Sequence, residues 1–134
     1  MAIDLVTDLT TLRRNILSMS GVVEARVCQS LDSLFDQQTS MAKDVRKGDD
    51  EIDAMEVNIE AECLRILALS QPVAGDLRFV LSVMRINSTL ERTGDLARSI
   101  AKRVISLSRL RSESWPDELE EMSRRARKML HGAI

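Results

Sequence analysis

The sequence predicts an all-α protein, built as an antiparallel three-helix bundle with a partial fourth helix. Three observations lead to this fold class. Aromatic residues make up only 2% of the chain and charged residues 30%, with two prolines and no tyrosine, a composition that suits helical bundles better than β-sandwiches. Apolar residues recur at helical spacing over most of the chain. The length of 134 residues is enough for one domain with a buried core.

The first predicted helix runs from Asp4 to about Arg46. Gly21 lies inside it, and because a glycine there costs only ~1 kcal/mol, we expect a bend at most. Gly48 is expected to end the helix. Steps of three and four separate its apolar residues, as in a helix that packs one face into a bundle: Leu5, Leu9, Leu12, Ile16, Met19, Val23, Val27, Leu31, Leu34, Met41 and Val45.

Two more helices are predicted on either side of a short turn. The second starts near Asp49, where acidic residues suit a helix N-terminus, and reaches about Leu69. Its inward residues are Ile52, Met55, Ile59, Cys63 and Ile66. The third starts at Pro72, which fits the first position of a helix, and runs to Leu107. It carries two apolar stripes, which predicts contact with two neighbouring helices.

A polar linker precedes a last, shorter helix that is expected to start near Pro116, with Ser114 or Asp117 as its cap. Its apolar residues repeat the spacing found at the start of the chain: Leu119, Met122, Ala126 and Met129 match Leu9, Leu12, Ile16 and Met19. We therefore predict a three-helix repeat over residues 4–109. Residues 110–134 are interpreted as a linker with the first helix of an incomplete second repeat.

Two acidic pairs interrupt the apolar pattern. Asp49 and Asp53, like Glu91 and Asp95, stand one helical turn apart and so share a face of their helix. The two pairs are arranged symmetrically about Pro72, so four carboxylates converge if the helices form a hairpin there. Converging carboxylates need protons or a cation, and oxygen ligands suit Mg²⁺, Mn²⁺ or iron. The alternative is a helix N-terminus and a solvated acidic face.

Other residues narrow the possible chemistry. The net charge of −2 gives no reason to expect nucleic acid as a partner. The single histidine, His131, excludes the Glu-x-x-His pattern of ferritin-like di-iron sites. No P-loop and no nucleophile with a histidine base is found.

Gly94, inside the acidic region, leaves room for close helix approach or for ions. Trp115 is interpreted either as a docking residue or as a cover for the end of the bundle.

The cysteines and the hydropathy pattern bear on location. Cys28 and Cys63 lie far apart in the sequence without a paired motif. Together with the lack of a signal peptide, this favours a reducing, cytoplasmic location. No apolar run approaches the ~20 residues that a membrane-spanning helix needs, which leaves at most peripheral membrane association.

Three segments carry a resemblance to a known family. They are QPVAGDLR at residues 71–78, LERTGDLARSIA at residues 90–101 and DDEIDAMEVNIEAECLRIL at residues 49–67. Together they resemble the PhoU family of phosphate-uptake regulators, and the resemblance extends from about Leu12 to Leu107. It implies a PhoU-like bundle, comparable to a spectrin repeat, of which typical members have two side by side.

The resemblance also implies a metal site and a regulatory role. Family members carry an (E/D)xxxD motif on two helices of each bundle, which holds a multinuclear cluster with iron or zinc among the ions found. Here these motifs correspond to Asp49 with Asp53 and to Glu91 with Asp95; manganese or magnesium would suit the same oxygen ligands. The implied role is not enzymatic. Members restrain the phosphate ABC transporter and keep the sensor histidine kinase of the phosphate regulon silent.

The chain departs from the family pattern in ways that affect its surface. Thr93 replaces an apolar residue in ERTGD, and the segments after Asp36 and near Trp115 match poorly. In the predicted arrangement, roughly the first 20 residues of the first helix extend past the Pro72 turn at 1.5 Å per residue. The neighbouring helices then leave five apolar residues uncovered: Leu5, Leu9, Leu12, Ile16 and Met19. The apolar stripe of the last helix is uncovered as well. Exposed apolar surface of that size predicts self-association as a homodimer or higher oligomer; a truncated fragment is the alternative.

Two further functions belong to other classes. One is a carboxylate-bridged, metal-dependent phosphohydrolase, in which Arg92 and Arg98 would hold the substrate. The other is a purely structural helical module in which the acidic residues only increase solubility.

Overall fold

The computed structural model describes residues 4–110 and 114–134, and this part of the chain forms five α-helices. They are α1 (Leu5–Phe35), α2 (Thr39–Lys47), α3 (Asp49–Ser70), α4 (Ala74–Leu107) and α5 (Asp117–Ala133). No strand occurs in the described ranges. None of the helices described is long and apolar enough to cross a membrane. The predicted all-α fold class is confirmed.

Helices α1, α3 and α4 form the bundle. Polar contacts set α1 antiparallel to α3: Asn15 donates to Glu62 at 2.9 Å, and Arg65 pairs with Asp8 at 2.8 Å. Helix α4 turns back along α3 and therefore runs parallel to α1. The three helices share one apolar core, whose burial is the main stabilising term of the fold. Its buried residues are Leu12, Ile16, Met19, Val23, Ile52, Ile59, Cys63, Ile66, Val80, Val83 and Leu90.

The prediction of a first helix that continues to about Arg46 is wrong. Helix α1 ends at Phe35, because Gln37 adopts a left-handed conformation with φ 53°. The amide of Gln38 then donates to the carbonyl of Ser33 at 3.0 Å, a bond across the helix end that satisfies a free carbonyl. The chain reverses at this point, so the following segment runs back along α1.

Gly48 interrupts the returning helix without reversing the chain. Its backbone is close to helical, with φ −77° and ψ 0°, and it is the single residue between α2 and α3. A Cβ at this position would lie 2.4 Å from the guanidinium of Arg26, which pairs with Glu51 at 3.1 Å. The glycine therefore allows close contact with α1. Beyond it, α2 packs on the end of α4 through Ala42, Val45, Ala101 and Val104.

The turn between α3 and α4 also differs in detail from the prediction. Gln71 ends α3 in a left-handed conformation with φ 46°, and α4 begins at Ala74 and not at Pro72. Pro72 is buried within the turn. The predicted end of α4 at Leu107 is correct.

The apolar stripe at the start of α1, expected to be uncovered, is buried within the chain itself. Leu12 and Met19 are 0% exposed, and Leu5 and Leu9 pack against the same core. The expectation failed because α2 was assigned to the first helix. With the reversal at Gln37, the start of α1 lies level with the turn between α3 and α4 and does not extend past it.

Helix α5 lies on the outside of α1. Arg127 pairs with Asp32 at 2.7 Å, and the Trp115 indole N–H donates to the carbonyl of Leu34 at 3.2 Å. Ser123 is its only buried residue. The interpretation of Trp115 as a cover for the bundle agrees with this bond. The stripe of Leu119, Met122, Ala126 and Met129 remains largely open, with Met122 61% and Met129 76% exposed.

Candidate metal centre

Three of the four predicted ligands come together where α3 begins and α4 passes beside it. Asp49, Asp53 and Asp95 each offer one carboxylate oxygen, and these three oxygens lie within 4.8 Å of one another. Asp49 is buried, Asp95 is half-buried and Asp53 is exposed. The symmetry about Pro72 in the sequence is thus reproduced in space, because α3 and α4 form an antiparallel hairpin.

The fourth predicted ligand, Glu91, lies beside this group and outside it. It is half-buried, and its main interaction is a hydrogen bond with Asp95, which raises the pKa of Glu91. Burial and the charges of Asp95, Glu56 and Asp53 raise this pKa further. Glu91 therefore lies at the edge of the aspartate group, with a pKa raised by its acidic neighbours.

Arg98 supplies positive charge inside the site. Its Nη1 lies 2.6 Å from Oδ2 of Asp49, and its Nη2 lies 3.3 Å from Oδ1 of Asp95. The guanidinium thus bridges a carboxylate of α3 and a carboxylate of α4. The short bond to Asp49 is charge-assisted and therefore stronger than a bond between neutral groups, so Arg98 partly offsets the repulsion within the acidic group.

The buried Asp49 shows the electrostatic cost of the arrangement most clearly. Burial is the largest cause that raises the pKa of its carboxyl, and the charge of Asp53 adds to it. The nearby Arg98 guanidinium opposes both effects. Because the pKa remains raised, the single arginine does not fully compensate for desolvation and like charge.

Two uncharged residues fix how closely α3 and α4 approach at the site. A Cβ on Gly94 would lie 3.0 Å from Cδ1 of Ile52, so the glycine provides close helix approach, one of its two predicted roles. One turn from Glu91, the buried Asn87 donates from Nδ2 to the carbonyl of Glu56 at 2.9 Å. Its Oδ1 is buried without a hydrogen-bond partner among the described residues.

The donor set fits a hard cation. All of the convergent donors are carboxylate oxygens, which Mg²⁺, Mn²⁺, Ca²⁺ and iron prefer over sulfur. Oxygens within 4.8 Å of one another need only small movements to reach ion–oxygen distances of about 2.0–2.6 Å. The Arg98 guanidinium between two of them shows that this position already favours positive charge. The three aspartates are thus a group that could hold a metal ion.

The link from Arg98 to α3 was not predicted from the sequence. Arg98 was expected either as a surface partner of Asp95, a pairing that the structure contains, or as a substrate clamp. The residue numbers contain a signal for this link. In a hairpin that places Asp95 beside Asp49, Arg98 is less than one helical turn away from Asp49 along α4. The side-chain reach of an arginine then covers the remaining distance.

Comparison with known proteins gives one family. Residues 16–104 match the model of a family described as "PhoU domain". The PhoU homolog of the phosphate-specific transport system of Pseudomonas aeruginosa is 43% identical over 100 residues, which are 75% of this chain and 41% of that protein. PhoU of Escherichia coli is 32% identical over 127 residues, 95% of this chain and 53% of that one. Both relatives are named as accessory proteins of that transport system.

Solved structures give the same result. The crystal structure of PhoU from Pseudomonas aeruginosa superposes with a TM-score of 0.90 at 36% identity, covering 96% of this chain and 62% of that one. The phosphate transport system regulatory protein PhoU from Streptococcus pneumoniae follows with a TM-score of 0.86 at 31% identity, covering 96% and 60%. The chain spans about half the length of the curated relatives that it matches.

Proposed function

Since the chain belongs to the PhoU family, we propose that it is a metal-binding regulatory adaptor of phosphate uptake. The observation that carries this proposal is the structural match along 96% of the chain, with a TM-score of 0.86, to a protein named as a phosphate transport system regulatory protein. A helical bundle with a charged surface acts on such a system through protein contacts. We therefore propose the phosphate ABC transporter and its sensor histidine kinase as partners.

A test of regulation compares phosphate uptake in cells that lack the gene with uptake in cells that carry it. Loss of a restraining adaptor should raise uptake of labelled phosphate when external phosphate is abundant. Restoring the chain should return uptake to the original level. Equal uptake in both strains at high and at low phosphate would contradict the regulatory role.

The metal site of the proposal consists of Asp49, Asp53 and Asp95, with Glu91 at its edge. The support is the convergence of three carboxylate oxygens and the all-oxygen donor set, which suits iron, manganese or magnesium and also accepts zinc. A multinuclear cluster would use Glu91 as an additional ligand. In such a site the ion would neutralise the acidic group and tie α3 to α4.

Metal analysis of purified protein tests this site. After chelation and reloading, we expect bound metal in the wild type and a strong loss in the double variant Glu91→Ala with Asp95→Ala. A matched control removes two exposed carboxylates outside the site, Glu60→Ala with Glu118→Ala, and should retain the wild-type content. Equal metal in all three proteins would discard the proposed site.

We propose an adaptor in preference to a metal-dependent phosphohydrolase. Arg98, one of two residues suggested as substrate clamps, has its guanidinium engaged by Asp49 and Asp95. A hydrolase of this type also needs a positioned base beside metal-bound water, and the lone histidine is exposed and paired with Glu24 on α1. Metal-dependent phosphatase turnover well above background would favour the enzyme instead.

We also propose that the protein acts in the cytoplasm, at most in peripheral contact with the membrane. Its two cysteines are free, as expected in a reducing compartment. Fractionation of cells that express the chain, with the thiols trapped at lysis, tests this location. Thiols recovered as disulfides from an extracytoplasmic fraction would contradict it.

Self-association is proposed through helix α5. Its outer face exposes Met122 and Met129, and Leu119 lies half-buried in the same stripe. Apolar residues in one row on an amphipathic helix commonly bind a second helix. A second copy of the chain can provide that helix by an isologous contact.

Light scattering at tens of micromolar protein distinguishes a dimer from a monomer. The double variant Met122→Glu with Met129→Glu should shift the protein to a monomer. The control variant Val57→Glu with Leu64→Glu makes the same chemical change on the exposed face of α3, where the two residues are 58% and 52% exposed. A wild-type monomer, or loss of the dimer in the control alone, would refute self-association through α5.

A further inference from the structure

We propose that Arg98 is a built-in competitor of the metal ion: its guanidinium fills the cation position between Asp49 and Asp95 and must leave before the metal binds there. This inference rests on the metal site of the proposed function and adds its regulation. Arg98 would thereby set the metal concentration at which the site responds.

Two contacts place Arg98 in the path of the metal. Its Nη1 is 2.6 Å from Oδ2 of Asp49 and its Nη2 is 3.3 Å from Oδ1 of Asp95. Both residues belong to the aspartate group whose oxygens lie within 4.8 Å of one another. A charge-assisted bond from a guanidinium satisfies much of the demand of a carboxylate for positive charge, so the ion and the arginine compete for the same two carboxylates.

The side chains differ in their freedom to move. The Asp49 side chain is only 8% exposed, whereas that of Arg98 is 46% exposed. Arg98 lies on an outward part of α4 and can turn into water without disturbing the core. Asp49 cannot follow it, because it is held at the buried start of α3. Departure of the arginine therefore leaves the aspartates in place and open to an ion.

The remaining charges favour the exchange. Asp53, Asp95 and Asp50 raise the pKa of Asp49, and the Arg98 guanidinium opposes them. Acidic groups therefore outnumber the single arginine, and an ion with two or three positive charges neutralises them more completely. The structure thus combines a preformed carboxylate group with a weaker internal cation that must be displaced.

Titration with Mn²⁺, followed by its electron paramagnetic resonance signal and by the midpoint of thermal unfolding, tests the competition. In Arg98→Gln we expect Mn²⁺ to bind about tenfold more tightly than in the wild type, equal to ~1.4 kcal/mol. The metal-free variant should unfold at a lower temperature, since its acidic group has lost a counter-charge, and Mn²⁺ should raise its midpoint more than that of the wild type. Arg98→Lys keeps a cation and should stay close to wild-type affinity.

Arg103→Gln is the matched control. Arg103 lies further along α4, is exposed and forms no salt bridge with another residue of the described ranges, so this variant changes the net charge equally without opening the site. A similar gain in both glutamine variants would indicate a general charge effect and refute the competition. Equal or weaker binding in Arg98→Gln, with normal binding by the wild type, would refute it while leaving the metal site intact. No Mn²⁺ binding by any of the proteins would refute both.

Discussion

The packing of Gly94 against Ile52 leads to a quantitative prediction for Gly94→Ala. The new methyl group would lie 3.0 Å from Cδ1 and 3.3 Å from Cγ2 of Ile52, closer than ordinary van der Waals contact. Ile52 is 2% exposed and has little room to withdraw. Overpacking of this kind costs ~1–3 kcal/mol, whereas the alanine gains about 1 kcal/mol of helix propensity over glycine. We expect a net loss of stability of up to about 2 kcal/mol.

The matched control is Gly21→Ala on α1. Gly21 is in the middle of a helix, and a Cβ there meets nothing within 4 Å. This variant keeps the propensity gain without the steric cost and should be more stable than the wild type by ~0.5–1 kcal/mol. The difference between the two variants therefore isolates the steric contact, because the propensity term cancels.

Urea unfolding followed by circular dichroism measures both variants. For a chain of this size, 1 kcal/mol corresponds to a shift of roughly 3–6 °C in the thermal midpoint, so thermal unfolding provides a second measurement. If Gly94→Ala proves as stable as Gly21→Ala, then Ile52 adapts at no cost, and close approach does not restrain α3 and α4. In that case Mn²⁺ affinity should also be unchanged in Gly94→Ala. If the contact does restrain the two helices, we expect Mn²⁺ affinity to fall as they separate.

Three other predictions concern titration and local stability. Burial raises the pKa of the Cys63 thiol to about 11, so in Cys28→Ser a thiol reagent should react at neutral pH only after unfolding; prompt reaction would contradict this burial. Burial raises the pKa of Asp49, and a hydrogen bond with a neighbouring aspartate raises that of Glu91. At pH values just above the ordinary pKa values of 3.8 for aspartate and 4.5 for glutamate, the folded, metal-free protein therefore holds more protons than the unfolded chain. Its free energy of unfolding should fall as the pH rises through this range. Urea titrations at several pH values measure this dependence. The double variant Asp49→Asn with Glu91→Gln should show a smaller fall in the free energy of unfolding with pH, and an unchanged pH dependence would refute the assignment to these two residues. Finally, the fluorescence of Trp115 should change at lower urea than the helical signal, because among the described helices α5 packs on α1 alone; coincident transitions would show that α5 unfolds with the bundle.

The hairpin of α3 and α4 was predictable because two kinds of information agreed. Apolar spacing located both helices, and the symmetric acidic pairs fixed which residues lie level with each other. Asp49 and Asp95 lie together as that symmetry requires, although α4 starts two residues later than predicted. An error of this size at the start of α4 does not change which residues of α3 and α4 lie side by side, because the difference is confined to the turn between them.

The break in the first helix could not be predicted from the positions of glycine in the sequence. The reversal occurs at Gln37, where glutamine adopts a conformation that usually belongs to glycine, whereas the glycine at position 48 continues the helix direction. One signal was present: the apolar stripe passes from Leu34 to Met41 with two glutamines where an inward residue was due. A helix that packs against a core does not normally leave a full turn of its inner face polar.

The candidate site depends on residues that would never touch an ion. Ile52 and Gly94 hold α3 and α4 close together, and Asn87 ties α4 to the carbonyl of Glu56 on α3. Close helices force Asp49 toward Asp95, so the favourable packing around the group offsets the repulsion within it. Burial first and the charge of Asp53 second raise the pKa of Asp49, which shows that the arrangement is costly without a counter-ion. A metal ion would neutralise the group only while α3 and α4 stay close together, so the contact of Gly94 with Ile52 should control metal affinity as well as stability.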